Sequence, residues 1–222
     1  INSFLDNAKK PNMAIVGGSK ISTKIQLLNN LIEQFSVVAI GGAMANTFLL
    51  ANNYNVGKSL VEKDLIQEAN NIQLKAKKSN CELILPTDVL CGKNIHDTNP
   101  VHRNIHDILS DEMILDIGDT STQFINNKII NSKMVLWNGP VGAFEFKPYD
   151  KATNAIAKVI KVNAKKLNIN TLAGGGDTVS AIKNTNAEDG FNYISNAGGA
   201  FLEWLEGNES PGVKSLKENN LT

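Results

Sequence analysis

The 222-residue sequence has little cysteine, no excess of either charge and no long apolar run. The two cysteines, Cys81 and Cys91, form no C-x-x-C pair, which argues against a disulfide scaffold and favours a reducing compartment. Lysine plus arginine and aspartate plus glutamate each total 22, so no net field draws the chain to nucleic acid or to an acidic membrane. The sequence offers neither a membrane-spanning run nor a secretory signal. We therefore expect a cytoplasmic globular protein without nucleic-acid or membrane partners. We also expect it to be a monomer.

Several catalytic and cofactor signatures are missing as well. No G-x-G-x-x-G fingerprint occurs, which argues against a dinucleotide oxidoreductase. Gly57-Lys58-Ser59 resembles the end of a P-loop, but a P-loop needs a glycine where this chain has Asn52. Cys91 and the three histidines match no standard zinc spacing, and the histidines suggest no Ser-His-Asp arrangement.

Short apolar runs alternate with helical patterns along the chain. The runs predict strands at 13–16, 37–40, 81–85, 113–117, 134–137, 169–173 and 191–194. Helical spacing appears at 21–35, 43–51, 61–78, 178–183 and 200–206, whereas 86–111 has no clear period and is predicted as irregular surface. Continuous apolar strands between helices predict an α/β fold: a Rossmann-like three-layer sandwich with a mostly parallel sheet of about six strands.

Most of the predicted strands end at glycine, and ligands bind at the carboxyl ends of strands in open α/β sheets. The most informative turn is Gly174-Gly175-Gly176-Asp177-Thr178, between a predicted strand and a predicted helix. Three residues without side chains let a phosphate lie against backbone N–H groups at the positive end of a helix. Asp177 would repel that phosphate unless a cation lay between them, which indicates a metal-bound nucleotide. The alternative is a tight left-handed turn with an aspartate N-cap.

A second glycine turn, Gly17-Gly18-Ser19-Lys20, is followed by Lys24. The spacing predicts that both lysines lie on one helical face near the positive helix end. A bound anion would relieve that repulsion, and the alternative is two solvated surface lysines.

Two other turns are weaker candidates. Asn138-Gly139-Pro140 fixes a bend, and the following Glu145 could accept hydrogen bonds from a ribose diol, although such a string is also typical of a structural turn. Ser195-Asn196-Ala197-Gly198-Gly199-Ala200 could present a further anion-accepting helix end or a simple N-cap.

Taken together, these motifs resemble the C-terminal, nucleotide-binding half of the phosphoglycerate kinase family. The matching strings follow the family order over nearly the whole chain: Gly17-Gly18-Ser19-Lys20, Gly41-Gly42-Ala43-Met44-Ala45-Asn46-Thr47-Phe48, Gly57-Lys58-Ser59-Leu60-Val61, Asp116-Ile117-Gly118, Trp137-Asn138-Gly139-Pro140 with Glu145, Gly174 to Thr178, and Leu205-Glu206-Gly207 with Pro211-Gly212-Val213. The resemblance implies a glycolytic kinase that reversibly transfers a phosphoryl group between 1,3-bisphosphoglycerate and Mg-ADP, giving 3-phosphoglycerate and Mg-ATP.

The resemblance also implies roles for individual residues. Lys20 would accompany the migrating phosphoryl group, and the backbone amides of Gly175 and Gly198 would approach it. Asp177 would be associated with Mg²⁺. The implied nucleotide-binding residues are Gly18, Ser19, Lys24, Gly42, Ala43, Asn138, Pro140, Gly142, Ala143, Glu145, Gly175, Gly176, Asp177 and Thr178.

The family's first domain, which holds 3-phosphoglycerate, has no counterpart in this sequence. We expect residues 1–12 to end an interdomain connector, 13–207 to form the nucleotide-binding domain and 208–222 to form a tail. Because catalysis in the family requires domain closure, the chain alone would bind Mg-ADP or Mg-ATP without turning over phosphoglycerate. Two alternatives are a stand-alone nucleotide-binding module without kinase activity and a structural α/β domain without a ligand.

Overall fold

The computed structural model describes residues 9–196 together with residues 201, 203, 205 and 206. The strands are β1 (Asn12–Val16), β2 (Val37–Ile40), β3 (Glu82–Ile84), β4 (Asp88–Gly92), β5 (Val101–Asn104), β6 (Met113–Ile117), β7 (Met134–Asn138), β8 (Asn170–Gly174) and β9 (Tyr193–Ser195). The α-helices are α1 (Ile25–Gln34), α2 (Ala43–Ala51), α3 (Ile66–Lys78), α4 (Asp119–Ile130), α5 (Lys151–Leu167) and α6 (Gly176–Asn184). Short 3-10 helices cover Lys63–Leu65 and Glu188–Gly190.

Six of the strands form one sheet in the order β3-β2-β1-β7-β8-β9, and every neighbouring pair is parallel. The predicted fold class is therefore confirmed. Numbered within this sheet alone, the order is 3-2-1-4-5-6, so the strand order reverses between the neighbouring strands β1 and β7, and the chain crosses there after it has completed β3. In doubly wound sheets this crossing is the topological switch point, and ligands bind at its carboxyl edge.

Two apolar cores cover the two faces of this sheet. On β1, Ala14 and Val16 contribute to one core, and Met13 and Ile15 contribute to the other. Residues of α1, α2 and α3 complete the first core, and residues of α4, α5 and α6 complete the second. Because the strand is buried on both sides, its sequence is a continuous apolar run rather than an alternating pattern.

The prediction of irregular structure over residues 86–111 was wrong. This segment supplies β4 and β5, which join β6 in a three-stranded antiparallel sheet of order β5-β4-β6. Residues 113–117, predicted within the parallel sheet, instead form β6 in this second sheet. The mostly exposed β5 has no apolar alternation, and the paired hydrogen bonds from Arg103 to the buried Glu112 join it to the segment before β6, which no periodic signal records.

Several element boundaries also differ from the sequence predictions. Asn12, assigned to the connector, is the first residue of β1, and its side-chain oxygen accepts a hydrogen bond from the Ser36 N–H. The helices α4 and α5 were not predicted, although Ala152, Ile156 and Ile160 of α5 recur at helical intervals. Within the described residues, no helix is long and apolar enough to cross a membrane.

Candidate functional site

A cleft of about 320 Å³ opens at the carboxyl edge of the parallel sheet, at the switch point between β1 and β7. Its floor comes from the turns after β1, β2 and β7, and Asp177 of α6 borders it. The opposite wall consists largely of β6 (Met113–Ile117). The cleft therefore lies between the two sheets.

Backbone hydrogen bonds join the three turns of the floor. The Gly17 N–H donates to the Asn138 carbonyl at 3.0 Å, and the Gly42 N–H donates to the Val141 carbonyl at 2.8 Å. Gly17 permits the contact between the turns after β1 and β7, because a Cβ atom there would lie 1.9 Å from the Pro140 carbonyl oxygen. Only glycine allows this close backbone approach.

Lys24 connects the ends of β1 and β7. Its Nζ atom donates to the Gly17 carbonyl at 2.5 Å, to the Asn138 carbonyl at 3.2 Å and to the Asn138 Oδ1 atom at 2.8 Å. All three N–H donors of the ammonium group are therefore used within the protein. Burial lowers the pKa of Lys24 from 10.5 to about 8, and the negative charge of Asp177 partly opposes this shift.

The predicted common helical face for the two lysines was wrong. Helix α1 begins at Ile25, so Lys20 and Lys24 both precede it. The Lys20 side chain is exposed, whereas the Lys24 side chain turns inward toward the sheet. The two cations thus occupy different environments.

Asn138 and Thr178 link the turn after β7 to α6. The Asn138 Nδ2 atom donates to the Gly174 carbonyl at 2.8 Å, and the Gly139 N–H donates to the Thr178 Oγ1 atom at 2.7 Å. Both side chains are buried, and neither borders the cleft. Their observed contacts position the turns that form it.

The turn between β8 and α6 brings the first turn of α6 to the cleft, where Asp177 borders it. Gly175 precedes the helix with φ +100°, a conformation that favours glycine. Gly176 is exposed, and a Cβ atom placed on it would meet nothing within 4 Å. Asp177 is also exposed, and its negative charge favours the protonated form of Lys24.

The far wall contains a buried carboxyl group at Asp116 of β6. Its Oδ2 atom accepts a hydrogen bond from the Ala152 N–H at 3.1 Å, in the first turn of α5. Its Oδ1 atom accepts a hydrogen bond from the Ile117 N–H at 2.9 Å. Burial raises the pKa of this carboxyl group well above its usual value, even though both hydrogen bonds favour the ionised form.

Nine of the residues predicted for the site border the cleft: Gly18, Ser19, Gly42, Ala43, Pro140, Gly142, Ala143, Glu145 and Asp177. Lys20, Lys24, Asn138, Gly175, Gly176 and Thr178 are not among the residues that border it. Gly198 lies outside the described residues.

Most of the apolar residues that border the cleft were not predicted from the sequence. Additional residues that border the cleft are Ala45, Asn46, Leu60, Pro86, Ile95, Met113, Ile114, Leu115, Val141, Phe144 and Phe146, together with Asp116 and Ile117. Five of these residues belong to the strings that match the family, but no site role was assigned to them: Ala45, Asn46, Leu60, Asp116 and Ile117. The strings themselves were the available signal.

The fold and the cleft define a doubly wound α/β protein with an open cleft at its switch point. The model of the family "Phosphoglycerate kinase" matches residues 1–208. The chain is 46% identical over 218 residues to a phosphoglycerate kinase of Rhodospirillum centenum and 44% identical over 219 residues to one of Xanthobacter flavus. These matches cover 97% and 98% of this chain and 55% of each relative.

Solved structures give the same result. A phosphoglycerate kinase structure from Coxiella burnetii matches with a TM-score of 0.93 and 37% identity, covering 98% of this chain and 55% of that one. The chain belongs to the phosphoglycerate kinase family. It spans about half the length of the curated relatives that it matches.

Proposed function

We propose that this chain is the nucleotide-binding half of a phosphoglycerate kinase and holds Mg-ADP or Mg-ATP in the cleft between its two sheets. The observation that carries the proposal is the position of the cleft at the switch point of the parallel sheet, with the first turn of α6 at its border. Such a position combines a crevice for a ligand with the positive end of a helix for its phosphates.

The apolar part of the cleft suits a planar base. Leu60, Met113, Ile114 and Val141 border it, and burial of a base against such side chains is favourable. Glu145, exposed at the same cleft, offers two carboxylate oxygens to a ribose diol.

The polar part of the cleft suits phosphates. The exposed Gly176 leaves its surroundings open to a ligand, and the N-terminus of α6 carries partial positive charge. Lys24 adds a cation beneath the turns, where its three hydrogen bonds fix its position. Lys20 adds a second cation that is free to move to a ligand because it is exposed.

The residues present also fit a magnesium ion that arrives with the nucleotide. Mg²⁺ is commonly bound by one or two carboxylates together with substrate phosphates. Asp177 supplies one carboxylate at the cleft, and the described residues hold no group of three or more metal-ligating side chains that would form a complete protein cage. When bound beside Asp177, the ion would supply positive charge that offsets the charge of the phosphates.

The contribution of this chain to phosphoryl transfer would be alignment and positive charge. The helix end would hold the nucleotide phosphates, Lys24 would add positive charge beneath the turns, and Lys20 would stabilise charge on the migrating group. Removing one such contact is expected to cost about 3 kcal/mol of transition-state stabilisation. Since the second substrate of the family requires the other domain, we propose that these 222 residues bind nucleotide but do not turn over phosphoglycerate.

Titration calorimetry of the purified chain with Mg-ADP, paired with a coupled turnover assay, tests both parts. We expect saturable binding with one site and no turnover. Absence of both heat and thermal shift would favour a structural domain without a ligand. Turnover by the chain alone would contradict the proposed need for a second domain.

A further inference from the structure

Glu62, in the segment between α2 and α3, binds the turn that carries Lys20. Its Oε2 atom accepts a hydrogen bond from the Ser22 N–H at 3.1 Å, and its Oε1 atom accepts one from the Ser22 hydroxyl. Each carboxylate oxygen thus has its own donor on the same residue. Hydrogen bonds to a carboxylate are stronger than those between neutral groups. Glu62 therefore holds Ser22 at two points.

The position of Glu62 is fixed in turn by α2. The Glu62 N–H donates to the Thr47 Oγ1 atom at 3.1 Å, and Thr47 is 1% exposed. Two residues earlier, the Leu60 carbonyl accepts a hydrogen bond from the Asn46 Nδ2 atom at 3.2 Å. Two neighbouring side chains of a buried helix thus hold the main chain from which the Glu62 carboxylate extends.

Ser22 lies two residues after Lys20 in a short, well-connected turn. The Lys20 carbonyl accepts a hydrogen bond from the Thr23 hydroxyl at 2.9 Å, and the Ile21 side chain is fully buried. Before Lys20, the Gly18 carbonyl accepts a hydrogen bond from a backbone N–H of α2 at 3.0 Å. The core anchors the inner side of this turn, and Glu62 anchors its exposed side.

The contact between Glu62 and Ser22 contributes more to position than to stability. Ser22 is exposed, so water could accept both of its hydrogen bonds, and the net stability gained from a typical hydrogen bond is modest. What the carboxylate adds is a fixed distance between the exposed side of the turn and α2. A turn that is already ordered lowers the entropy cost of placing the Lys20 side chain on a ligand.

We propose that Glu62 is a positioning residue for Lys20: by holding Ser22, it fixes the main chain from which the Lys20 ammonium group reaches the terminal phosphate of ATP. This inference rests on the proposed function, in which Lys20 accompanies the migrating phosphoryl group. ATP carries that group as its third phosphate, and ADP lacks it. The ratio of the dissociation constants of Mg-ATP and Mg-ADP therefore measures the action of Lys20 separately from the binding of the rest of the nucleotide.

Titration calorimetry of the 222-residue chain with Mg-ATP and with Mg-ADP gives this ratio. Lys20→Met should weaken Mg-ATP binding about fivefold more than Mg-ADP binding, and Glu62→Ala about threefold more, because the released turn must be ordered on binding. Ser22→Ala removes only the hydroxyl donor and should have a smaller effect in the same direction. Ser22→Thr keeps both donors and should retain the ratio of the unaltered chain.

Glu82 offers a matched control. Its Oε2 atom accepts a hydrogen bond from the Lys128 ammonium group at 2.5 Å, so it also joins two distant segments, but neither residue is among those that border the cleft. Glu82→Ala should leave the ratio unchanged.

A double variant separates positioning of Lys20 from a general loosening of the cleft. In the Lys20→Met background, Glu62→Ala should not change the ratio further, because both substitutions remove the same contact with the third phosphate. Additive effects on the ratio would overturn the inference.

An unchanged ratio in both Glu62→Ala and Ser22→Ala, beside the expected change in Lys20→Met, would overturn the role of Glu62 and leave the nucleotide site intact. Since Ser22 is exposed, Ser22→Ala keeps the inference testable if Glu62→Ala does not fold. An unchanged ratio in Lys20→Met would overturn the inference together with the role of Lys20. Failure of the unaltered chain to bind either nucleotide would instead overturn the proposed function.

Discussion

The side-chain oxygen of Asn138 lies 2.8 Å from the Lys24 ammonium nitrogen, and the Asn138 carbonyl oxygen lies 3.2 Å from the same atom. Asn138 thus provides two of the three acceptors of a half-buried cation, while its Nδ2 atom holds the end of β8. A single asparagine at the end of β7 positions both the cation and the turn that leads into α6.

Lys24 should make nucleotide binding dependent on pH. Its pKa is about 8 because the ammonium group is largely desolvated, so the cation is lost as the pH rises through this value. We expect the affinity for Mg-ADP to fall between pH 7 and pH 9.5, as measured by calorimetry at fixed ionic strength. In Lys24→Met the affinity at pH 7 should be about tenfold weaker, equivalent to about 1.4 kcal/mol, and less dependent on pH. A wild-type affinity that stays constant over this range would contradict the prediction.

Lys24 should also make the free energy of unfolding dependent on pH, but this energy should rise with pH whereas the nucleotide affinity falls. The pKa of Lys24 is lower in the folded chain than the ordinary 10.5, so the unfolded chain binds more protons between about pH 8 and pH 10.5. Its contribution therefore makes the folded state more stable as the pH rises through this window. Urea unfolding at pH 8 and pH 10 should show a smaller gain for Lys24→Met than for the unaltered chain.

A substitution at Gly176 should affect nucleotide binding without destabilising the fold. A methyl group fits there because nothing lies within 4 Å of the added Cβ atom, and alanine is favoured over glycine in a helix by up to about 1 kcal/mol. Gly176→Ala should keep or raise the melting temperature while weakening Mg-ADP binding, since the methyl group would occupy the approach of a phosphate. Gly17→Ala is the contrasting variant and should fail to fold, because its Cβ atom would overlap the Pro140 carbonyl. Unchanged nucleotide affinity in a folded Gly176→Ala chain would show that no phosphate binds beside Gly176.

Asp177 should strengthen nucleotide binding by acting as a ligand of Mg²⁺. Replacing its carboxylate with the amide in Asp177→Asn removes a metal ligand while keeping the shape. Calorimetry should show that Mg-ADP binding weakens about tenfold, or about 1.4 kcal/mol, and that ADP in the presence of a chelator loses much less. Asp189, exposed in the 3-10 helix Glu188–Gly190, provides a control substitution outside the cleft. Equal losses with and without Mg²⁺ would assign Asp177 a role other than metal binding.

Asp116 should lower stability as the pH rises from acidic values. Its folded pKa lies well above the usual value because of burial, so the unfolded chain releases this proton first, from about pH 4 upward. Proton release by the unfolded state makes unfolding more favourable until the pH passes the folded pKa. Asp116→Asn cannot ionise, and denaturant unfolding between pH 4 and pH 7 should show a smaller decline for this variant than for the unaltered chain. The exposed Asp119 gives the control variant Asp119→Asn.

The parallel sheet and the floor of the cleft could be predicted because both rest on local signals. Residues such as Val16 and Gly17 form a buried strand followed by a glycine, and this pattern is visible in a short window. The far wall could not be predicted in this way. β6 has the same apolar appearance as the sheet strands, and no local pattern shows that it pairs with β4 in a second, antiparallel sheet.

The two lysines show a related limit. Their four-residue spacing predicted one shared helical face. The prediction failed because α1 begins only after Lys24. Three acceptor atoms from two strand ends draw Lys24 inward, and no local pattern records where those acceptors lie.

The floor of the cleft is held together by main-chain hydrogen bonds such as those from Gly17 to Asn138 and from Gly42 to Val141. Its shape is therefore set by the path of the turns, which the side chains of Lys24, Asn138 and Thr178 also hold together. The apolar wall, in contrast, is specified by side chains of β6 and its neighbours. An effort to redesign this cleft for a chosen ligand would therefore substitute residues of that wall and leave the glycine turns as they are.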